Sequence, residues 1–279
     1  MAFLKGVVNL VTFETNPPEA FGGFHLLWIV VIFCISAFAV LFLRDAQDEH
    51  FRLVVAVSFL IMLTLEVFKQ LALSLKIVDG EIIFDYPWND FPFQLCSTPL
   101  YVLPLLALLP DSHLRDVFAS YTMTFALLGG IAVYLVPKTV FVSKAAINVQ
   151  TMLHHGIQIF TGVYTASYYR RRINRKFFLS GFLLFALFFA VANLLNTVGY
   201  DLLVSAGLME SGESFNMFYI SPRPEQTLPI FEELLIGVPR ILIPIGYFIL
   251  VTLGAAVLAW ISYTVFRLLR KKTIRGRLC

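Results

Sequence analysis

The chain has 279 residues, of which 58% are hydrophobic, 15% aromatic and only 14% charged, against roughly 45–50% apolar and about 25% charged in soluble globular proteins. That balance excludes a water-soluble domain. Several stretches of about 20 residues hold almost no charge, the length a helix needs to cross a hydrocarbon core of roughly 30 Å. The formal charge of +3 gathers at segment ends, where it reports orientation and contact with anionic lipid and not a groove for nucleic acid.

The first residues, Met1–Leu10, carry one lysine and a short apolar run, then Glu14, Pro17, Pro18 and Glu19 with no small-residue cleavage site; they do not read as a removable signal peptide. Membrane helices are predicted over Gly23–Leu43, Leu53–Leu73, Gln94–Leu109, Val117–Val136, Val149–Tyr169, Phe177–Thr197 and Leu235–Val265. The third is short. Its Pro99 and Pro104 lack the amides that would bond the carbonyls of Leu95 and Leu100, which predicts a kink or a non-helical start. Such backbone is tolerated at membrane depth only under a cover of protein or a wet cavity.

Seven crossings place 14 of the 21 Lys and Arg residues on one side, including Arg44, Arg52, Arg115, Arg170–Arg172, Arg175, Lys176 and the tail from Arg267, and 7 on the other. The basic side is expected to be cytoplasmic, which puts the C-terminus inside and the N-terminus outside. The loops assigned outside are also the acidic ones, with Asp79, Glu81, Asp85 and Asp90 in one and Glu210, Glu213, Glu225, Glu232 and Glu233 in another. The expected fold is therefore an all-α polytopic bundle of seven, or at fewest six, transmembrane helices. No internal repeat or linker divides it, so one integral domain spans 1–279, placed by this reading in the cell (plasma) membrane.

Polar side chains inside membrane spans are costly and face the bundle interior, so their depths locate a site. His25 lies at the outer end of the first span. Glu66, Lys69 and Gln70 share a face near the outer end of the second, Cys96 opens the third, His154 and His155 lie in the fifth, and Asn193 and Asn196 in the outer part of the sixth. Five helices thus carry polar groups at similar depth, which predicts a pocket toward the outer leaflet. Plainer roles compete for each: a structural Glu66–Lys69 pair at i, i+3, a satisfied His25, and asparagines that only bridge helices. Cys34, mid-span among phenylalanines and isoleucine, reads as packing, and Cys279 as a tail thiol.

Cys96 stands apart by its setting, Pro92-Phe93-Gln94-Leu95-Cys96-Ser97-Thr98-Pro99. A helix beginning near Pro92 puts the thiol in its first turn, whereas a Thr98 cap with Pro99 at the first helical position puts it on the entry loop. Either exposes it to chemistry. A thiol nucleophile needs a base, and histidine is the usual one; His154 and His155 point about 100° apart on a helix, so one of them faces Cys96.

Phe91-Pro92-Phe93-Gln94-Leu95-Cys96-Ser97 resembles the P-[LF]-[HQ]-L-C-S signature of the YwaF-type integral membrane proteins, relatives of the eukaryotic transmembrane protein 164. Gly129-Gly130 before Pro137, His155-Gly156, and Asn216-Met217-Phe218 before Pro222 and Pro224 follow in the family's order, so that the likeness runs from Arg52 to about Tyr263. It implies a bundle of six or seven helices and an intramembrane thiol acyltransferase, with membrane phospholipids and lysophospholipids as partners and an acyl-cysteine intermediate. Carried over, Cys96 is the nucleophile and His155 its base, with His154 the alternative. Gln150 stands about a turn before that pair, where many relatives carry another histidine. Glu66, Gln70, His25, Gln150, Asn193 and Asn196 are the candidates for orienting the histidine or binding substrate. No cofactor or metal is expected, since the chain has no HExxH, P-loop or GxGxxG motif. A homo-oligomer is left open. The rival function is a small-solute transporter or binding protein using the same outer-leaflet pocket, with the third helix broken at the site.

Overall fold

A computed structural model describes residues 2–223 and 239–275. Helix α1 (Ala2–Val11) precedes α2 (Gly23–Phe38), which runs on through a π-helical turn, Ala39–Leu43. Then come α3 (Asp48–Ser74), a hairpin of β1 (Leu75–Val78) and β2 (Glu81–Phe84), and the short α4 (Pro99–Leu108). Next, α5 (His113–Tyr121) passes through a π turn, Thr122–Ala126, into α6 (Leu127–Leu135), and α7 (Ala145–Tyr168) follows. After it, α8 (Arg175–Leu194) continues through the π turn Leu195–Gly199 into α9 (Tyr200–Ser205), and α10 (Ile243–Arg275) ends the described chain.

Local chemistry accounts for most of these boundaries. The Ser112 hydroxyl accepts from the Arg115 amide at 3.3 Å to start α5, and the Asn174 side chain accepts from the Phe177 amide at 3.0 Å to start α8, each supplying a partner for an otherwise orphaned helix-end donor. Pro99 opens α4, where its missing amide costs nothing. The hairpin turns on Asp79 and Gly80, with φ of 51° and 78°, the left-handed pair that a two-residue turn between twisted strands requires.

Each of the seven predicted segments contains a helix, but among the described residues five are long and apolar enough to cross a membrane: 23–43, 48–74, 113–135, 175–205 and 243–268. Two of the predicted segments fall outside that set for separate reasons, the third because it has the non-helical start expected of it. Helix α4 has 10 residues, about 15 Å at 1.5 Å per residue, because the chain before Pro99 is a turn. Helix α7 has 24 residues but is more polar than these five, and it can be so because it packs among α1, α2, α3, α5, α6 and α10. Its polar side chains face protein. The start of the seventh predicted span at Leu235, the loop residues Glu225, Glu232 and Glu233, Pro224 and Cys279 lie outside the described residues. Cys34, expected in packing, is exposed on the outer face of α2.

The two ends of the bundle differ in charge. At one, the loops after α2, α4 and α7 meet: Arg172 grips both carboxylate oxygens of Asp111 at 2.6 Å and reaches Asp116 at 2.8 Å, Arg170 binds Asp45, and buried Arg115 pairs with Asp48 at 2.7 Å. The Arg172 guanidinium beside Asp111 holds that carboxyl below its ordinary range, as Arg170 does for Asp45. At the other end, the last turn of α3, just before the hairpin, meets Lys144, which donates to the Ala72 carbonyl at 3.4 Å. The aromatic core between α4, α5, α8 and α10 includes Phe93, Tyr121, Phe125, Phe185, Phe218 and Tyr247.

Candidate active site

The site forms where a turn, a helix pair and a buried ion pair meet in the half of the bundle nearer the hairpin. Residues 94–98 make the turn: the amides of Ser97 and Thr98 both donate to the Gln94 carbonyl, at 2.8 and 3.2 Å. Thr98 Oγ1 donates to the Leu95 carbonyl at 2.7 Å and lies 2.7 Å from the Tyr121 hydroxyl. Of the two settings open to Cys96, the structure adopts the second, with Thr98 before Pro99 and the thiol on the entry loop.

Paired glycines on α6 bring the histidine helix to that loop. A Cβ on Gly129 would stand 3.8 Å from Cys96 Cα and 3.1 Å from Gln158 Nε2, and one on Gly130 would stand 3.0 Å from the His155 carbonyl. Bare backbone on α6 is thus wedged between Cys96 and α7. Gly156 plays the same part on the far side, since a Cβ there would lie 2.5 Å from Ile32 Cδ1.

Helix α7 sets both imidazoles. His155 Nδ1 lies 2.7 Å from the Thr151 carbonyl and His154 Nε2 lies 3.2 Å from the Cys96 carbonyl. A carbonyl oxygen only accepts, so each of these nitrogens carries the hydrogen, and the other nitrogen of each neutral ring keeps a lone pair. For His155 that nitrogen is Nε2, buried and without a hydrogen-bond partner among the described residues; for His154 it is Nδ1. Opposite them on α3, Lys69 Nζ lies 2.8 Å from Glu66 Oε1, and the Gln70 amide donates to the same oxygen at 2.6 Å and to the Asp90 carbonyl at 2.7 Å.

These groups border one cavity of about 370 Å³. Its polar side is formed by Glu66, Lys69, Gln94, Cys96, Ser97, Gln150, Thr151, His154, His155 and Tyr219, and its apolar wall by α6 and α10 through Leu128, Ala132, Val133, Leu250 and Val251. A cleft that is mostly apolar with a few convergent polar groups is the usual form of a small-molecule site.

Of the residues singled out from sequence, Cys96, His154, His155, Glu66 and Gln150 come together here. Gln70 stands behind Glu66, lining an adjacent hollow with Tyr86 and Tyr101. The other three lie elsewhere. His25 accepts the Phe21 amide at Nδ1 and packs among Phe21, Tyr134 and Phe141; Asn193 donates to the Phe189 carbonyl of its own helix at 2.9 Å; and Asn196 clasps Met217 through both backbone atoms, at 2.7 and 2.8 Å. Among the described residues no group of three or more His, Cys, Asp or Glu is placed to hold a metal ion.

Two further residues were missed in the sequence. Gln158, fully buried, donates to the Ala126 carbonyl at 2.7 Å where the π turn passes into α6. Tyr219 lines the cavity from the turn after Asn216-Met217. Phe218 and Tyr219 have φ of 58° and 57°, left-handed backbone that costs a non-glycine residue of order 1–3 kcal/mol and persists only where surroundings enforce it. The Asn-Met-Phe string was the available signal, but nothing in a string shows positive φ.

The fold and site define a multi-helix integral membrane protein with a buried Cys/His cavity. A family model described as the TMEM164 family matches residues 20–264, and the chain belongs to that family. No curated protein and no solved structure matches it.

Proposed function

We propose that the protein is an intramembrane thiol acyltransferase that acts on glycerophospholipids through an acyl-cysteine intermediate. The observation that carries this reading is that Cys96 and His155, whose Nε2 has no hydrogen-bond partner among the described residues, line one cavity whose α6 and α10 wall is apolar. His155 Nε2 takes the thiol proton and the sulfur attacks a lipid ester carbonyl. The oxyanion collapses, and the departing lysolipid oxygen takes the proton back from the imidazolium. A lysophospholipid hydroxyl then attacks the thioester by the same steps in reverse, with His155 again the base. His154 steadies the Cys96 carbonyl in this scheme, and the Glu66–Lys69 pair polarises the cavity's floor. The accompanying topology is seven crossings of the cell membrane, N-terminus outside and C-terminus cytoplasmic, with α4 and its entry turn, and α7, completing the five longer apolar helices.

Mass spectrometry of the purified protein incubated with mixed phospholipids tests the chemistry. A hydroxylamine-labile acyl adduct is expected on Cys96, absent in Cys96→Ser and formed about 10²-fold more slowly or worse in His155→Ala, the scale of a lost general base. No adduct, with lipid turnover by Cys96→Ser equal to wild type, overturns the reading.

A further inference from the structure

Acyl transfer at a thiol creates an oxyanion, and a transferase needs hydrogen-bond donors where that charge develops. The side-chain amides of Asn193 and Asn196 are engaged with Phe189 and Met217. Tyr219 lines the same cavity as Cys96.

Its position is enforced by hydrogen bonds that the strained turn could not otherwise justify. The Gln94 side chain accepts from the Phe218 amide and donates to the Asn216 carbonyl, both at 2.8 Å. Asn196 binds Met217 on both sides, and Asn216 Oδ1 accepts from the Ser221 amide at 2.8 Å. Phe218, fully buried, stacks on Phe93 with ring centres 5.9 Å apart. Gln94 lies two residues before Cys96 on the same turn, so one amide side chain ties the segment carrying the thiol to the segment carrying the phenol. Backbone held against its preference beside a reactive group is where strain serves placement. Burial raises the Tyr219 pKa above its ordinary value, and the neighbouring Cys96 thiol adds to the rise; the phenol keeps its proton at neutral pH and remains a donor.

We propose that the Tyr219 hydroxyl is the side-chain donor to the oxyanion formed when Cys96 attacks an acyl ester, an inference that rests on the thiol-acyltransferase reading above. As the sulfur–carbon bond forms, the carbonyl π pair moves onto oxygen, and Tyr219 O–H hydrogen-bonds that oxygen without giving up its proton. On collapse the pair returns, the carbon–oxygen bond to the lysolipid breaks, and the leaving oxygen takes its proton from His155.

The test compares two reactions of the same thiol in the full-length protein: acylation by phospholipid, which passes through an oxyanion, and alkylation by iodoacetamide, which does not. Tyr219→Phe is expected to slow adduct formation on Cys96 about 10²-fold, the lower range for losing one oxyanion donor, while alkylation stays within about twofold of wild type. Gln94→Met, which frees the turn but leaves the phenol, is expected to slow acylation too, with alkylation again preserved. Unchanged acylation in Tyr219→Phe, or alkylation falling in step with acylation, overturns the role of the phenol alone, because the wild-type adduct remains. A wild-type protein that forms no adduct retires the thiol chemistry and the Tyr219 role with it.

Discussion

Glu66 and Lys69 show how much a single buried pair decides. Their side chains are 6% and 20% exposed, so removing one leaves an unpaired charge in a dry setting, at a cost of about 3–5 kcal/mol. Glu66→Ala and Lys69→Ala are each expected to lower the detergent unfolding midpoint sharply, and Glu66→Gln/Lys69→Met to recover most of the loss. A double variant no more stable than either single one would mean that the pair is not coupled. The i, i+3 spacing made this pair legible in the sequence, since both partners stand on one helix face. Asn193 and Asn196 have the same spacing, yet one bonds its own helix and the other a turn more than twenty residues on. What separates the two cases is the partner, which for Asn196 belongs to a distant part of the chain.

Elements approach one another here through missing side chains. Without a hydrophobic drive between helices in lipid, close packing falls to small residues. A Cβ on Gly181 of α8 would lie 2.5 Å from Ser120 Oγ and 2.8 Å from the Tyr121 amide nitrogen of α5, whereas one on Gly246 of α10 meets nothing within 4 Å among the described residues. Gly181→Ala is therefore expected to destabilise by about 1–3 kcal/mol through overpacking. Gly246→Ala is expected to leave stability at or slightly above wild type, because alanine is the better helix former. Equal midpoints for the two variants in thermal unfolding would contradict the close approach of α8 to α5. Helix starts at Ser112, Asn174 and Pro99 follow short-range rules and are readable in sequence. The length of α4 and the hairpin are different: hydropathy extended the third span back to Gln94, and the Asp79-Gly80 turn went unread within an acidic loop.

Across the whole molecule, charge separates the two ends. The arginines that outnumber lysines at the basic end are joined to Asp45, Asp48, Asp111 and Asp116, which draws the loops after α2, α4 and α7 together while leaving the excess positive charge on which the proposed orientation rests. With a single-cysteine reporter in cells, Glu81→Cys in the hairpin is expected to react with a membrane-impermeant maleimide from outside. Arg171→Cys is expected to react only after permeabilisation. The reverse pattern would invert the proposed topology, and labelling of both from one side would require a different number of crossings between them.

Composition and hydropathy by themselves determined that this is a multi-helix membrane protein and roughly where its helices run. Lipid imposes a local rule, about 20 apolar residues with every backbone group bonded within the segment, and a local rule can be read from a string. The motif around Cys96 and His155 singled out two segments that the structure brings to one cavity. Only the tertiary structure decided which polar residues share a cavity, because that depends on how each helix is rotated and how closely it approaches its neighbours. Gly129 and Gly130 place α7 against the Cys96 turn, α7 is tolerably polar only because other helices surround it, and Tyr219 reaches the cavity through two left-handed residues held by amides far away in sequence.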